Sequence, residues 1–288
     1  MPWVSEMIGR VYLRHSPSLT RLRNAPVFGK WLRYLSHKVV PLGTRVWIRV
    51  PEGIAKDLWM CINPRFESHF LQSDHERPGQ EILARRLMPG DCFYDVGAHI
   101  GFFSLIAARQ IGSAGQVIAF EPDPGNGCVL RANAEKNNFR QVRLIEAAAW
   151  SSCGLLQFER SNAASSRMEG RVSGDSTARN DGISVTGVVL DDLVFGRGIR
   201  PPSFLKIDVE GAESEVLTGS ERIFQTYQPL LLCEVHDATN ATLIEPWLTQ
   251  QGYEVHWLAG YDSYPKQLFA SPRRNEFAEG AGALGKAR

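Results

Sequence analysis

Cysteine is scarce in this sequence. Of 288 residues only Cys61, Cys92, Cys128, Cys153 and Cys233 are cysteines, an odd and scattered set. No C-x-x-C pair or finger spacing occurs among them, which excludes a disulfide framework and a cysteine-held zinc. Most fall inside apolar runs, so they are expected to be buried free thiols in a reducing compartment. Long apolar runs are also missing: none approaches the roughly 18 residues that span a bilayer, and the N-terminus lacks the charged, apolar, small-residue order of a signal peptide. Cytoplasmic residence is the expectation. Net charge is nearly absent at +1, and no nucleic-acid partner is expected. Acidic residues are missing locally: residues 1 to 50 hold nine Lys or Arg against Glu6 alone. Trp3, Ile8, Trp31 and Leu35 interleave with those cations. The segment reads either as short amphipathic helices touching an anionic membrane surface or a partner, or as a helical extension packed on the main domain.

What is present is a globular composition, 43% hydrophobic and 22% charged, enough for one α/β catalytic domain with extensions. Residues 1–43 read as the basic extension, 44–77 as an accessory hairpin and lead-in, 78–270 as the catalytic domain and 271–288 as a frayed tail. Val46, Ile48 and Val50, then Leu58, Met60 and Ile62, alternate around Pro51-Glu-Gly53 as a hairpin would. Pro78 opens a helix that Pro89-Gly90 stops. Beyond it strand and helix alternate, with strands at 92–96, 116–120 and 141–146 and helices from 102 and over 124–137. The rhythm resumes with strands at 204–208, 230–235 and 253–257 and helices at 212–217 and 242–250. Such alternation implies a mostly parallel sheet with helices on both faces. Between the two series, strands at 155–159 and 184–190 flank a Ser/Asn/Gly/Arg-rich stretch, 161–182, read as a mobile loop that is either a substrate cover or surface disorder. No internal repeat occurs.

The first strand runs into Asp95-Val-Gly97-Ala98-His99-Ile-Gly101 and then a helix, the layout of a nucleotide-binding crossover. Glycines at 97 and 101 let the turn close tightly, and the helix presents unpaired N–H groups at its start. Glu121 ends the second strand, where a carboxylate accepts ribose hydroxyls. A nicotinamide oxidoreductase uses the same logic, but the spacing here is G-x-x-x-G, without the G-x-G-x-x-G that seats a pyrophosphate. Asp95 before the glycines would repel a phosphate and attract the ammonium of a cationic ligand such as S-adenosylmethionine. His99 either contacts the cofactor or caps the helix.

Lys206, Asp208 and Glu210 end the strand at 204–208, and alternation puts them on one side if the strand stays extended. Buried charges require pairing, so Lys206 is expected to pair with Asp208 or Glu210. The next strand ends in Glu234 and His236, and neighbouring strand ends bring the four acidic and imidazole groups together. For methyl transfer to a hydroxyl, His236 is the first choice of general base because its unperturbed pKa is near neutrality, and Asp208 the second. Asp208, Glu210, Glu234 and His236 also form a set able to take Mg²⁺ or Mn²⁺, although nothing fixes their donor geometry and a metal is not favoured. His69, His75 and His256 read as surface or packing residues.

Several runs together carry a resemblance: Phe93 to Ser104 around the glycine turn, Ala119-Phe-Glu121-Pro122-Asp-Pro124 with Asn133, Leu190-Asp-Asp192, Leu205-Lys-Ile-Asp-Val-Glu-Gly-Ala-Glu213, and Cys233-Glu-Val-His236. They resemble the FkbM-type methyltransferases, class I Rossmann-like enzymes that use S-adenosylmethionine. The resemblance implies a seven-stranded, mostly parallel sheet with an antiparallel last strand, and O-methylation of a hydroxyl on a sugar, glycan or natural product. It also implies cofactor contacts at Glu121-Pro122, near Ala148 and at Glu76, which occupies the place of a glutamate common before the first strand. His99 stands where an asparagine is common. A nicotinamide oxidoreductase and a catalytically silent scaffold recruited through the basic N-terminus are the alternative functions.

Overall fold

The computed structural model describes residues 43–160, 170–173 and 182–273. Strands β1 (Val46–Arg49) and β2 (Trp59–Ile62) pair antiparallel, with Val46 opposite Ile62, and form a sheet of their own. A ten-residue helix, α1 (Arg77–Arg86), follows with Pro78 in its first turn, where the missing N–H costs nothing. The first crossovers are β3 (Cys92–Val96), α2 (Phe102–Ile111), β4 (Gln116–Phe120), α3 (Pro124–Lys136) and β5 (Val142–Ile145). Asp123 starts α3 by accepting the N–H groups of Gly125 and Asn126. The same helix tethers the hairpin. Cys61 N–H donates to Asn133 Oδ1 at 2.7 Å and Trp59 N–H to Asn137 Oδ1 at 2.9 Å, and Asn137 Nδ2 donates to Trp59 O at 2.7 Å. Asparagines four residues apart thus satisfy the strand groups that face away from β1.

An excursion of four strands comes next: β6 (Ala148–Ala149), β7 (Gly154–Arg160), β8 (Gly170–Ser173) and β9 (Gly182–Val188), ordered β6-β9-β7-β8. The chain then returns to the main sheet through β10 (Phe204–Ile207), α4 (Glu213–Thr218), α5 (Glu221–Tyr227), β11 (Leu230–Val235), α6 (Ala238–Gln250), β12 (Tyr253–Trp257) and β13 (Lys266–Pro272). Its order is β12-β13-β11-β10-β3-β4-β5, seven strands of which β13 alone runs antiparallel to its neighbours.

Both faces of this sheet are dry, which is why its strands are almost continuously apolar. Phe93, Phe204 and Leu232 turn to one face with Leu105 and Ile106 of α2. Tyr94, Leu205 and Leu231 turn to the other with Leu217, Ile223 and Leu248. Each such side chain contributes about 1.5–3 kcal/mol by leaving water. The crossovers from β3 proceed to one side and those from β10 to the other, so the carboxyl ends of these adjacent strands form the switch point where α/β sheets bind ligands. Lys206 lies opposite Asp95 in that register.

Several expectations are corrected. Residues 266–272, part of them assigned to the frayed tail from 271, form β13, with Ser271 paired to Glu254 and Pro272 to Tyr253. Its buried Gln267 broke the apolar pattern by which a strand is recognised. Helix α5 was not anticipated because its N-terminal groups are satisfied from far away: Asp191 accepts the N–H groups of Arg222 and Ile223, each at 2.9 Å. The stretch 161–182 contains β8, paired to β7. The cysteines are all free, but Cys128 and Cys153 are exposed and only Cys92 and Cys233 are buried. The basic extension over 1–42, the remainder of 161–181 and the tail from 274 lie outside the described residues. Among the described residues no helix is long and apolar enough to cross a membrane.

The tightest point of the fold is Gly97, where an added Cβ would sit 1.7 Å from the carbonyl oxygen of Asp208 and where φ is +82°. Gly112 shares the left-handed backbone at φ +68° with nothing within 4 Å. Gly97→Ala is therefore expected to cost more than about 4 kcal/mol, and Gly112→Ala about 1–2 kcal/mol. Urea unfolding followed by tryptophan fluorescence checks this, and equal midpoints for the two variants would show that the turn has room to yield.

Candidate active site

Three left-handed residues shape the turn after β3: Gly97, His99 at φ +50° and Gly101 at φ +89°. The chain folds back so that Gly97 N–H and Ala98 N–H both donate to the Phe120 carbonyl at 3.0 Å. His99 N–H donates to Glu121 Oε2 at 2.8 Å. Glu121 is 4% exposed, and its Oε1 accepts from Asp123 N–H at 2.9 Å and Asn126 Nδ2 at 3.3 Å. Burial pushes its carboxyl up to about 7, with those donors pulling the other way. Asp95, 1% exposed, accepts the Ser104 hydroxyl on Oδ2 at 2.6 Å and leaves Oδ1 without a partner. Burial raises its pKa against the pull of Lys206. Asn126 Oδ1 is likewise unsatisfied. Buried polar atoms are normally paired, so both oxygens mark places for a ligand.

A second set of charges gathers where β10 and β11 end. Lys206, 2% exposed, holds Asp208 Oδ2 at 2.8 Å and lies 4.4 Å from the Phe103 ring centroid. Burial opposes both charges. Asp208, Glu76 and Asp95 nonetheless raise the Lys206 ammonium above its usual value, while Lys206 and His236 hold Asp208 below the usual carboxylate range. The strand ends at Ile207, and Glu210 reaches the site through a left-handed turn, φ +53°, followed by Gly211 at +94°. Simple alternation along a strand does not place it. His236 lies behind this turn, with Nδ1 2.6 Å from Glu213 Oε1 and Nε2 3.2 Å from Glu210 Oε1, 3.7 Å from Asp208 and 3.8 Å from Glu234. Burial works against its charge, but hydrogen bonds to Glu210 and Glu213 push its pKa up to about 11. The unperturbed pKa that recommended His236 as a base does not apply here.

These groups surround one cavity of about 520 Å³. Asp95, Gly97, Ala98, His99, Glu121, Pro122 and Ala148 are in its lining. Lys206, Asp208, Glu210 and Glu234 line it too, Lys206 lying opposite Asp95 in the sheet, and Glu76, expected among the cofactor contacts, stands beside Asp208 and Glu234. Glu76, left-handed at φ +44° immediately before α1, and Glu234 both accept from Gln267 Nε2, at 2.6 and 3.0 Å. Two of the anticipated residues stay outside the lining: His236, and Gly101, which begins α2 and packs on Leu130.

Sequence reasoning missed part of the wall. His69 and His75, expected at the surface or in packing, line the cavity together with Phe70, their ring centroids 4.7 Å apart. Tyr261 and Tyr264 close another side. No spacing links any of these to the motifs. His256 is half exposed beside Glu254, as a surface residue. Donor atoms of Asp208, Glu210 and His236, and separately of Glu76, Asp208 and Glu234, lie within 4.8 Å of one another. Lys206 and His236 already neutralise these sets, however, and a divalent ion would have to displace their cationic partners.

The methyltransferase FkbM domain matches residues 95–255. The 31-O-demethyl-FK506 methyltransferase FkbM of Streptomyces tacrolimicus is 32% identical, over 54% of this chain and 69% of that protein. Hexuronic acid methyltransferase AglP of Haloferax volcanii is 30% identical, over 54% of this chain and 60% of its own. The 2-O-methyltransferase NoeI of Sinorhizobium fredii is 31% identical, over 49% of this chain and 62% of its own. The matched region runs from the glycine turn through both acidic strand ends, which removes the oxidoreductase reading of that turn, and the chain belongs to the FkbM methyltransferase family.

Proposed function

We propose that the protein transfers the methyl group of S-adenosylmethionine to a hydroxyl of a sugar, glycan or natural product. The carrying observation is the unpartnered, buried Asp95 Oδ1 in a cavity that also holds Glu121 and the charged ends of β10 and β11. Bound there, the cofactor supplies a methyl group made electrophilic by positive sulfur. Asp95 Oδ1 suits the ammonium of its amino-acid part, and Glu121 suits the ribose hydroxyls. Pro122, Ala147 and Ala148 give the base an apolar wall. Around Glu76, Asp208 and Glu234, carboxylates and few free donors favour a ligand that itself donates hydrogen bonds, as a hydroxylated ring does. Holding that hydroxyl in line with the methyl group supplies much of the rate. Relatives named for a hexuronic acid, for a 2-O position and for 31-O-demethyl-FK506 support hydroxyl acceptors. The exposed free thiols Cys128 and Cys153 suit a reducing cytoplasm.

Calorimetry with S-adenosylhomocysteine and with methylthioadenosine, which lacks the amino acid, separates the two carboxylates. Asp95→Asn is expected to weaken the homocysteine form about 10-fold or more and methylthioadenosine less than about 2-fold, whereas Glu121→Gln weakens both about 10-fold or more. Unaltered affinity in Glu121→Gln removes the ribose assignment, and failure of the native protein to bind either ligand removes the reading as a whole. Because the Glu121 carboxyl lies at about 7 before binding and must ionise to accept two hydroxyls, native affinity is expected to fall by up to about tenfold per unit as pH drops below 7. Titrations between pH 5 and 8 test this, and the slope should disappear in Glu121→Gln.

A further inference from the structure

The reaction needs somewhere for the acceptor's proton to go, and neither residue favoured from the sequence suits the task. His236 stands outside the cavity and is engaged on both nitrogens. Asp208 is held by Lys206 at 2.8 Å. A different pair meets the requirement. Glu76 and Glu234 come from separate elements, both line the cavity, and a carboxyl oxygen of one lies within 4.8 Å of one on the other. Gln267, 0% exposed, directs its Nε2 hydrogens to one oxygen of each, at 2.6 and 3.0 Å, and so fixes them on a common centre. Two carboxyl groups this close in a buried site cannot both ionise cheaply, and a proton shared between them relieves the repulsion.

We propose that Glu76 and Glu234 form a carboxyl pair, bridged by Gln267, that gives up its shared proton when the cationic methyl donor binds and then accepts the proton of the acceptor hydroxyl. The inference rests on the proposed reaction. In that step the hydroxyl oxygen bonds to the methyl carbon, the carbon–sulfur bond breaks with its electron pair remaining on sulfur, and the hydroxyl proton passes to the pair. The surrounding groups fit the assignment. Burial raises both carboxyls, Glu234 adds to the rise of Glu76, and Asp208 adds to both. Lys206 facing the pair opposes the rise for both and His236 for Glu234. His75 Nε2 lies 3.2 Å from Glu76 Oε1, and Tyr261 lines the same space. A further positive charge in the cavity tips this balance towards the ionised pair.

Native protein is titrated at pH 7 with S-adenosylmethionine and with S-adenosylhomocysteine, in phosphate and in Tris, whose different ionisation enthalpies reveal the protons exchanged. Any proton released by Asp95 or Glu121 accompanies both ligands, since both carry the ammonium and the ribose, and cancels in the difference. The methylated form is expected to release about one proton more than the unmethylated form. The excess should vanish in Glu234→Gln and in Glu76→Gln, each checked for folding by retained S-adenosylhomocysteine affinity. Equal release for the two ligands in the native protein, or an excess that persists in both variants, overturns the carboxyl pair. Absence of binding by either ligand instead overturns the proposed reaction.

Discussion

Lys206 is a charged residue in the middle of a parallel sheet, 2% exposed, flanked by Asp208 at 2.8 Å and opposite Asp95 in the neighbouring strand. Desolvating an ammonium costs several kcal/mol, and only close carboxylates offset it. The dependence is mutual. Asp95, Asp208, Glu76 and Glu234 all stand near this one cation, and each would be harder to bury without it. The glycine turn packs against the same place, because Gly97 has no side chain to strike the Asp208 carbonyl. Backbone contact and ion pairing therefore hold the ends of β3 and β10 in a single arrangement, and the cavity opens above it.

The acids of the cavity are satisfied unequally. Asp95 keeps unsatisfied acceptor capacity on Oδ1. Asp208, Glu76, Glu234 and Glu210 are instead engaged by Lys206, Gln267 and His236. His236 binds Glu210 and Glu213 at once and clasps the left-handed turn between β10 and α4. Its contribution is to hold that turn, and through it Glu210, at the cavity wall.

Elements whose boundaries are set by nearby residues were legible in the sequence: the glycine turn, α3 with its adjacent Asp123 cap, and the apolar strands β3, β4 and β11. What depended on distant partners was not. Helix α5 takes its cap from Asp191, about 30 residues upstream. Gln267 is buried within β13 because it meets carboxyl groups 191 and 33 residues away. The charged strand ends were visible in the sequence, but their arrangement depended on where β10 stopped. With the strand ending at Ile207 and the chain turning left-handed at Glu210, the imidazole lies behind the carboxylate instead of beside it. Glu76 illustrates the limit of resemblance, since its place before the first strand does not reveal that it meets Glu234 and Gln267.

The wall of the cavity has two origins. The stretch Asp95 to Ala149 supplies the glycine turn, Glu121 and the alanines, and falls inside the matched domain of 95–255. Other parts come from outside that domain. His69, Phe70, His75 and Glu76 precede it, and Tyr261, Tyr264 and Gln267 follow it. The hairpin β1–β2, tied to α3 through Asn133 and Asn137, anchors the chain that leads into the first of these segments. β13, held between β11 and β12, carries Gln267 immediately after the second. The residues proposed to bind the cofactor thus lie in the matched domain, whereas much of the remaining wall lies in its flanks, so that exchanging residues 66–76 or 260–265 reshapes the cavity without touching Asp95 or Glu121.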